Sequence, residues 1–306
     1  MPVDPSSVEL STPRVAIDLE PRSADVSSER LRSTACLNCG VALTGPFCSA
    51  CGQRDVPPYP TVRELVVDAF WELSGWDGRF AVTVRTLLRR PGKLTREFLE
   101  GRRARYISPL RLYLMASIVF FVVAAATPDR DRQAGDSVSV GAGVNLNLGG
   151  ADDSTVLRGI ENAPRPLRAF VRRAVADREG LKRDVNETMP RVLFALLPLF
   201  ALIVSIFYRG RRYPEHLYFA IHLHAFVFLA LTVPELVSFT RSAMLADGVG
   251  FAAAVWIPIY ATLAFRQVYR GSLARTVLKE LGIATIYGVA SLAAFIAMFY
   301  WVSIGE

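Results

Sequence analysis

The chain is short of the residues most often used for chemistry. Its 306 residues include three histidines, His216, His222 and His224, and four cysteines, all between Cys36 and Cys51. No Ser–His–Asp order, phosphate-cradling glycine loop or zinc-protease motif occurs, which removes the common hydrolase and nucleotide-binding classes. Gly141 and Gly143 lie in a polar stretch with no helix start behind them, so they reflect composition rather than a nucleotide site. Met1–Ala35 is rich in Ser, Pro and Arg and has no signal-peptide apolar core. It holds too little apolar surface to offset the entropy of ordering and reads as a disordered tail. The first membrane span is then expected to direct its own insertion.

Apolar residues are abundant, at 52% of the chain, and they come in blocks. Gly101-Arg102-Arg103-Ala104-Arg105-Tyr106-Ile107-Ser108-Pro109 leads into Leu110–Ala126, whose one charge is Arg111. Such a run, rising about 1.5 Å per residue, covers roughly 26 Å, close to the apolar thickness of a bilayer. Four further runs follow at Arg191–Tyr208, His216–Phe239, Gly250–Phe265 and Leu281–Ile304, the fourth span of the five being short. The expected fold is mainly α: a polytopic helical membrane bundle of about five spans, with a small N-terminal zinc ribbon and juxtamembrane amphipathic helices. The expected divisions are a tail at 1–35, a ribbon at 36–53, cytosolic basic helices at 54–109, a first span at 110–127, an extracytoplasmic loop at 128–190 and four spans over 191–306.

The short loops set an orientation. Arg209, Arg211 and Arg212 join the second and third spans, and Arg266, Arg270, Arg275 and Lys279 join the fourth and fifth. The third-to-fourth link holds Arg241 balanced by Asp247. Because Lys and Arg resist translocation, these loops place the N-terminus in the cytosol and the C-terminus outside a plasma (bacterial inner) membrane. In the long loop, Ser137–Val140 through Val144–Leu148 alternates polar and apolar residues, as a hairpin would. Pro166–Asp177 has the pattern of a helix lying on the outer surface or packed on the bundle.

Cys36-Leu37-Asn38-Cys39-Gly40 and Cys48-Ser49-Ala50-Cys51-Gly52 form two C-x-x-C-G knuckles. Each turns tightly enough for two thiolates to converge, and the intervening residues suffice for a small hairpin bringing the pairs together. Four thiolates suit structural Zn²⁺; two disulfides or iron at the same ligands are the alternatives. With Cys36, Cys39, Cys48 and Cys51 all as ligands, no position is open for catalytic water. The ribbon is therefore a structural or binding module, with a protein as one potential partner.

Between ribbon and membrane, Thr61–Leu73, Phe80–Leu88 and Leu94–Glu100 have helical apolar spacing. From Arg79 to Arg111 there are ten Lys and Arg against Glu97 and Glu100. Arg102, Arg103, Arg105 and Arg111 are expected as a lipid-facing cluster toward anionic headgroups; the competing reading is a solvated basic face. The net charge of +7 and pI near 9.5 would also suit nucleic acid, but this charge lies beside membrane spans, where lipid explains it better.

Several stretches resemble a bacterial membrane-protein family of unknown function that carries an N-terminal zinc ribbon. They are Cys36–Gln53, Arg90-Pro91-Gly92-Lys93, Glu97–Pro109, Leu197-Pro198-Leu199-Phe200-Ala201-Leu202, and Tyr213-Pro214-Glu215-His216-Leu217 through His222-Leu223-His224-Ala225-Phe226. The resemblance implies an integral membrane protein with a ribbon head and implies no reaction.

One polar group within the spans could carry chemistry: His216, His222 and His224, with Glu215 and Glu235. At 100° per residue, His222 and His224 point about 160° apart, so one helix cannot offer both to a single metal. His224 and Glu235 lie nearly on one face, about 16 Å apart, and could line a proton track; interhelical hydrogen bonding by buried histidines is the plainer reading. Two function classes follow: a membrane-anchored interaction or regulatory protein using the ribbon, or a transporter or membrane enzyme using the intramembrane His and Glu. The first is favoured, because the ribbon is the stronger motif.

Overall fold

The computed structural model describes residues 34–55, 78–127, 137–140, 144–147, 168, 171–172, 175–240 and 242–304. The expected tail, up to residue 33, and the Thr61–Leu73 helix lie outside the described residues, as does much of Pro166–Asp177.

The chain is mainly helical. Two short helices, α1 (Arg79–Arg89) and α2 (Lys93–Leu99), precede α3 (Pro109–Ala126), α4 (Arg178–Phe207), α5 (Tyr213–Ser238), α6 (Ala243–Tyr269) and α7 (Leu273–Ile304). Between α3 and α4, strands β1 (Ser137–Val140) and β2 (Val144–Asn147) pair antiparallel, with Ser137 opposite Asn147 and Val140 opposite Val144. Five helices are long and apolar enough to cross a membrane, over Pro109–Ala126, Arg183–Phe207, Tyr213–Ser238, Ala243–Tyr269 and Leu273–Val302. The fourth is a full 27-residue helix rather than a short one, and the fifth begins well before Leu281. Helix boundaries outrun the apolar windows because charged groups at helix ends find partners: Lys279 Nζ donates to the Phe207 carbonyl at 2.7 Å and lies 4.2 Å from the Tyr208 ring centroid.

Helix α5 is the centre of the bundle. It packs on α3, α4 and α6, and its run from His216 to Phe226 is buried except at His224. A helix apolar on all sides has no face suited to water and is covered by other helices or by lipid. Tyr113 and Phe120 of α3 meet Phe228, and Phe226 stacks on Tyr260 of α6. Helix α7 lies outermost, against α4 and α6.

The α1–α2 hairpin lies against one end of this core. Thr83 and Leu87 face inward from α1, and Leu94, Thr95 and Phe98 from α2. The Tyr260 hydroxyl donates to the Leu87 carbonyl at 2.5 Å, and the Ile107 amide donates to Thr83 Oγ1 at 3.1 Å. Pro91-Gly92 makes the turn. Gly92 has φ 71°, and a Cβ there would stand 2.8 Å from the Ala264 carbonyl oxygen and 2.9 Å from Gln267 Cβ. Backbone thus packs on backbone where the hairpin meets α6, which leaves room for glycine alone.

Gly92→Ala should therefore destabilise the protein by about 1–3 kcal/mol through left-handed strain and displacement from α6. Thermal unfolding of the detergent-purified protein measures it; an unchanged midpoint would mean that the hairpin does not seat on α6.

Candidate metal centre

The two knuckles fold alike. The Cys36 amide donates to Val41 O and Gly40 N to Cys36 O, both at 2.8 Å; Cys48 N donates to Gln53 O at 2.8 Å and Gly52 N to Cys48 O at 2.9 Å. Isolated bridges Ala35–Ala42 and Phe47–Arg54 flank them. The four Sγ atoms lie within 4.8 Å of one another, with Cys36–Cys51 at 3.6 Å and Cys39–Cys48 at 3.5 Å. A tetrahedral thiolate set around a metal at about 2.3 Å needs sulfurs about 3.8 Å apart, whereas a disulfide needs about 2.05 Å. The spacing fits a metal ion and not disulfides. Hydrogen bonds from the Cys51 and Ala50 amides lower the Cys48 thiol, while its contact with Cys48 raises the thiol of Cys39, as expected of four thiols sharing one small site.

The ribbon is seated on the rest of the chain. Gln53, one residue past the second knuckle, donates through Nε2 to Gly101 O at 2.8 Å, while its Oε1 accepts from Arg103 N at 3.0 Å and Ala104 N at 3.1 Å. From the first knuckle, Leu37 lies against buried Gly101, where φ is 81° and a Cβ would stand 2.6 Å from Leu37 Cδ1. Neither Gln53 nor Leu37 was singled out in the sequence. The position of each in or next to a cysteine knuckle was the available signal.

This seating changes the reading of the arginines. Arg102 is bound to Glu97 by contacts of 2.7 and 3.2 Å and also pairs with Glu100. Its hydrogen bond holds the Glu97 carboxyl below the usual range. Arg103 reaches Phe98 O at 3.4 Å and lies 5.6 Å from the Tyr218 ring centroid. Arg111 is 8% exposed, within the first turn of α3. Arg105 alone of the expected headgroup cluster is exposed. Arg102 and Arg103 are half-buried and engaged within the chain by carboxylates, a carbonyl and an aromatic face, and Arg111 is packed inside it.

The histidines diverge as the helical angles require. His216 Nδ1 meets the Tyr269 hydroxyl at 2.8 Å on α6, His222 Nδ1 meets Thr95 Oγ1 at 3.0 Å on α2, and His224 Nε2 meets the Tyr287 hydroxyl at 3.1 Å on α7. His224 Nδ1 is also 2.8 Å from its own Ala220 carbonyl. His222 lines a cavity of about 10 Å³ with Gly92, Thr95, Tyr260 and Ala264, room for about one water. Glu215 accepts from Arg211 at 2.7 Å and caps its own helix through Arg212 N. Glu235 is half-buried near the far end of α5, with no contact to His224 among those described. Sequence reading missed Glu280, half-buried on α7 and hydrogen-bonded to Thr262 of α6, because the apolar window began at Leu281.

Thr95→Val should cost about 1–3 kcal/mol by leaving the buried His222 ring without its partner, measured by thermal unfolding; Thr95→Ser should restore most of it. Glu97 gives a pH dependence. Its folded pKa lies below the unfolded value, so its contribution is present above the ordinary carboxylate range and lost as pH falls through the depressed value. The stability gap between wild type and Glu97→Gln should be constant near neutral pH and close in acid; a gap that persists in acid would mean that the Arg102 contact is not its source.

Residues 77–121 match a protein-family profile described as a protein of unknown function (DUF3667). No curated protein and no solved structure matches the chain. The matched stretch holds α1, α2, the Gly101–Arg105 turn that receives Gln53, and α3 as far as Phe121. To that family this chain is similar in its hairpin and first candidate span.

Proposed function

We propose that the protein is a membrane-anchored regulatory or interaction protein of the plasma membrane, built around a structural Zn²⁺ ribbon on the cytosolic side. The observation that carries this is the tetrahedral spacing of Cys36, Cys39, Cys48 and Cys51 on a ribbon that sits at the base of α3. Zinc is the metal of choice, since four thiolates with no further ligand suit a closed, redox-silent site. In this reading the metal supplies folding energy to a domain too small to be stable by burial, and performs no reaction. The basic loops Arg209–Arg212 and Arg266–Lys279 support a cytosolic N-terminus and an external C-terminus. The exposure of Arg105 supports it as the residue of the turn that would meet anionic headgroups. The transporter or membrane-enzyme alternative would need convergent polar side chains, and the three histidine rings go to three different helices.

Purified protein should hold one zinc per chain by elemental analysis, and Cys48→Ser should hold none. In a deletion strain, Cys48→Ser should fail to restore whatever phenotype the deletion causes, while His224→Ala and Glu235→Gln restore it. Restoration by Cys48→Ser together with failure of both intramembrane variants would transfer the function to the bundle.

A further inference from the structure

The geometry points to a metal-dependent strap: we infer that metal occupancy of the ribbon controls the order of the Gly101–Arg105 turn and, through it, the packing of α2 on α5. This deepens the zinc-ribbon reading and rests on it. Gln53 has two jobs that cannot be separated in space. Its backbone carbonyl accepts from Cys48 N and closes the second knuckle, while its side chain binds the backbone of residues 101, 103 and 104. Leu37, between Cys36 and Cys39, supplies the apolar contact at Gly101. Both knuckles thus touch the turn through residues whose positions depend on the thiolate cluster.

A ribbon of this size has no core to keep it folded without a cation. Metal loss would therefore remove both contacts together, and the amides of Arg103 and Ala104 would lose the acceptor that the structure gives them. The turn does not end there. Arg102 holds Glu97 of α2, Arg103 lies over Tyr218 of α5, and Phe98 packs on Tyr218 and His222. Thr95 then reaches His222. A contiguous set of polar and ring contacts therefore runs from the ribbon to the buried helix at the bundle's centre. By linkage the coupling is reciprocal: what weakens the turn must weaken metal binding.

The test uses the full chain in lipid nanodiscs, followed by hydrogen exchange and metal analysis. In the zinc-loaded protein the Arg103 and Ala104 amides should be protected. Chelation should raise their exchange on the order of tenfold or more, and added zinc should reverse the change. Gln53→Ala should give the same rise with zinc still bound, and chelation should then add little. From the other side, Gly101→Val should lower zinc affinity by about five-fold or more in chelator competition. Unchanged amide exchange on chelation overturns the strap, as does a Gly101→Val protein with wild-type zinc affinity. Absence of any bound metal in the wild type would instead remove the zinc reading itself, so the two failures are distinct.

Discussion

Inside an apolar bundle a polar group has to find its partner within the protein, and this constraint organises the structure around α5. From His216 to Phe226 the helix is buried except at His224, yet this stretch carries all three histidines of the chain. Each imidazole is matched by a different neighbour: Tyr269 of α6, Thr95 of α2 and Tyr287 of α7. The rings therefore act as register marks. Interdigitated ridges of Leu, Phe and Ala resist sliding, and a slip of one residue would in addition leave a buried imidazole without its partner. The tight approach at Gly92 and the Tyr260 bond to Leu87 fix the same hairpin against the same end of the bundle.

Charge follows a parallel rule at the bundle's rim. The turn before α3 is among the most basic stretches of the sequence, but Arg102 and Arg103 engage carboxylates, a carbonyl and an aromatic ring of the chain itself. Lys279 does likewise at the Phe207 carbonyl, and Arg211 at Val268 O and Glu215. These cations near the apolar helices thus join elements of the chain together. Counting basic residues along the chain shows where such a rim lies and cannot show which of its cations are already engaged.

What was legible in the sequence is what depends on local pattern. Five apolar runs and two C-x-x-C-G knuckles are periodic or closely spaced signals, and both survive into three dimensions as five long apolar helices and one thiol cluster. The divergence of His222 and His224 was also legible, because helical angle alone decides it. Less legible were the contacts that join residues far apart in the chain, such as Gln53 with Gly101 or Thr95 with His222. A glutamine after a knuckle and a threonine on a short helix have no pattern of their own; their roles are set by what packs opposite. Glu280 was hidden for a different reason: hydropathy windows close at the first charge, while the helix carries on through it.

The separation of Gln53 from its partners has a consequence in time. All four thiols and Gln53 are synthesised before Gly101, and Gly101 to Ala104 come shortly before the first apolar helix. The head thus precedes its seat in the order of synthesis. The contacts of Gln53 with Gly101, Arg103 and Ala104 close loops of 48, 50 and 51 residues just ahead of α3, a separation at which the entropic cost of closure grows only slowly with length.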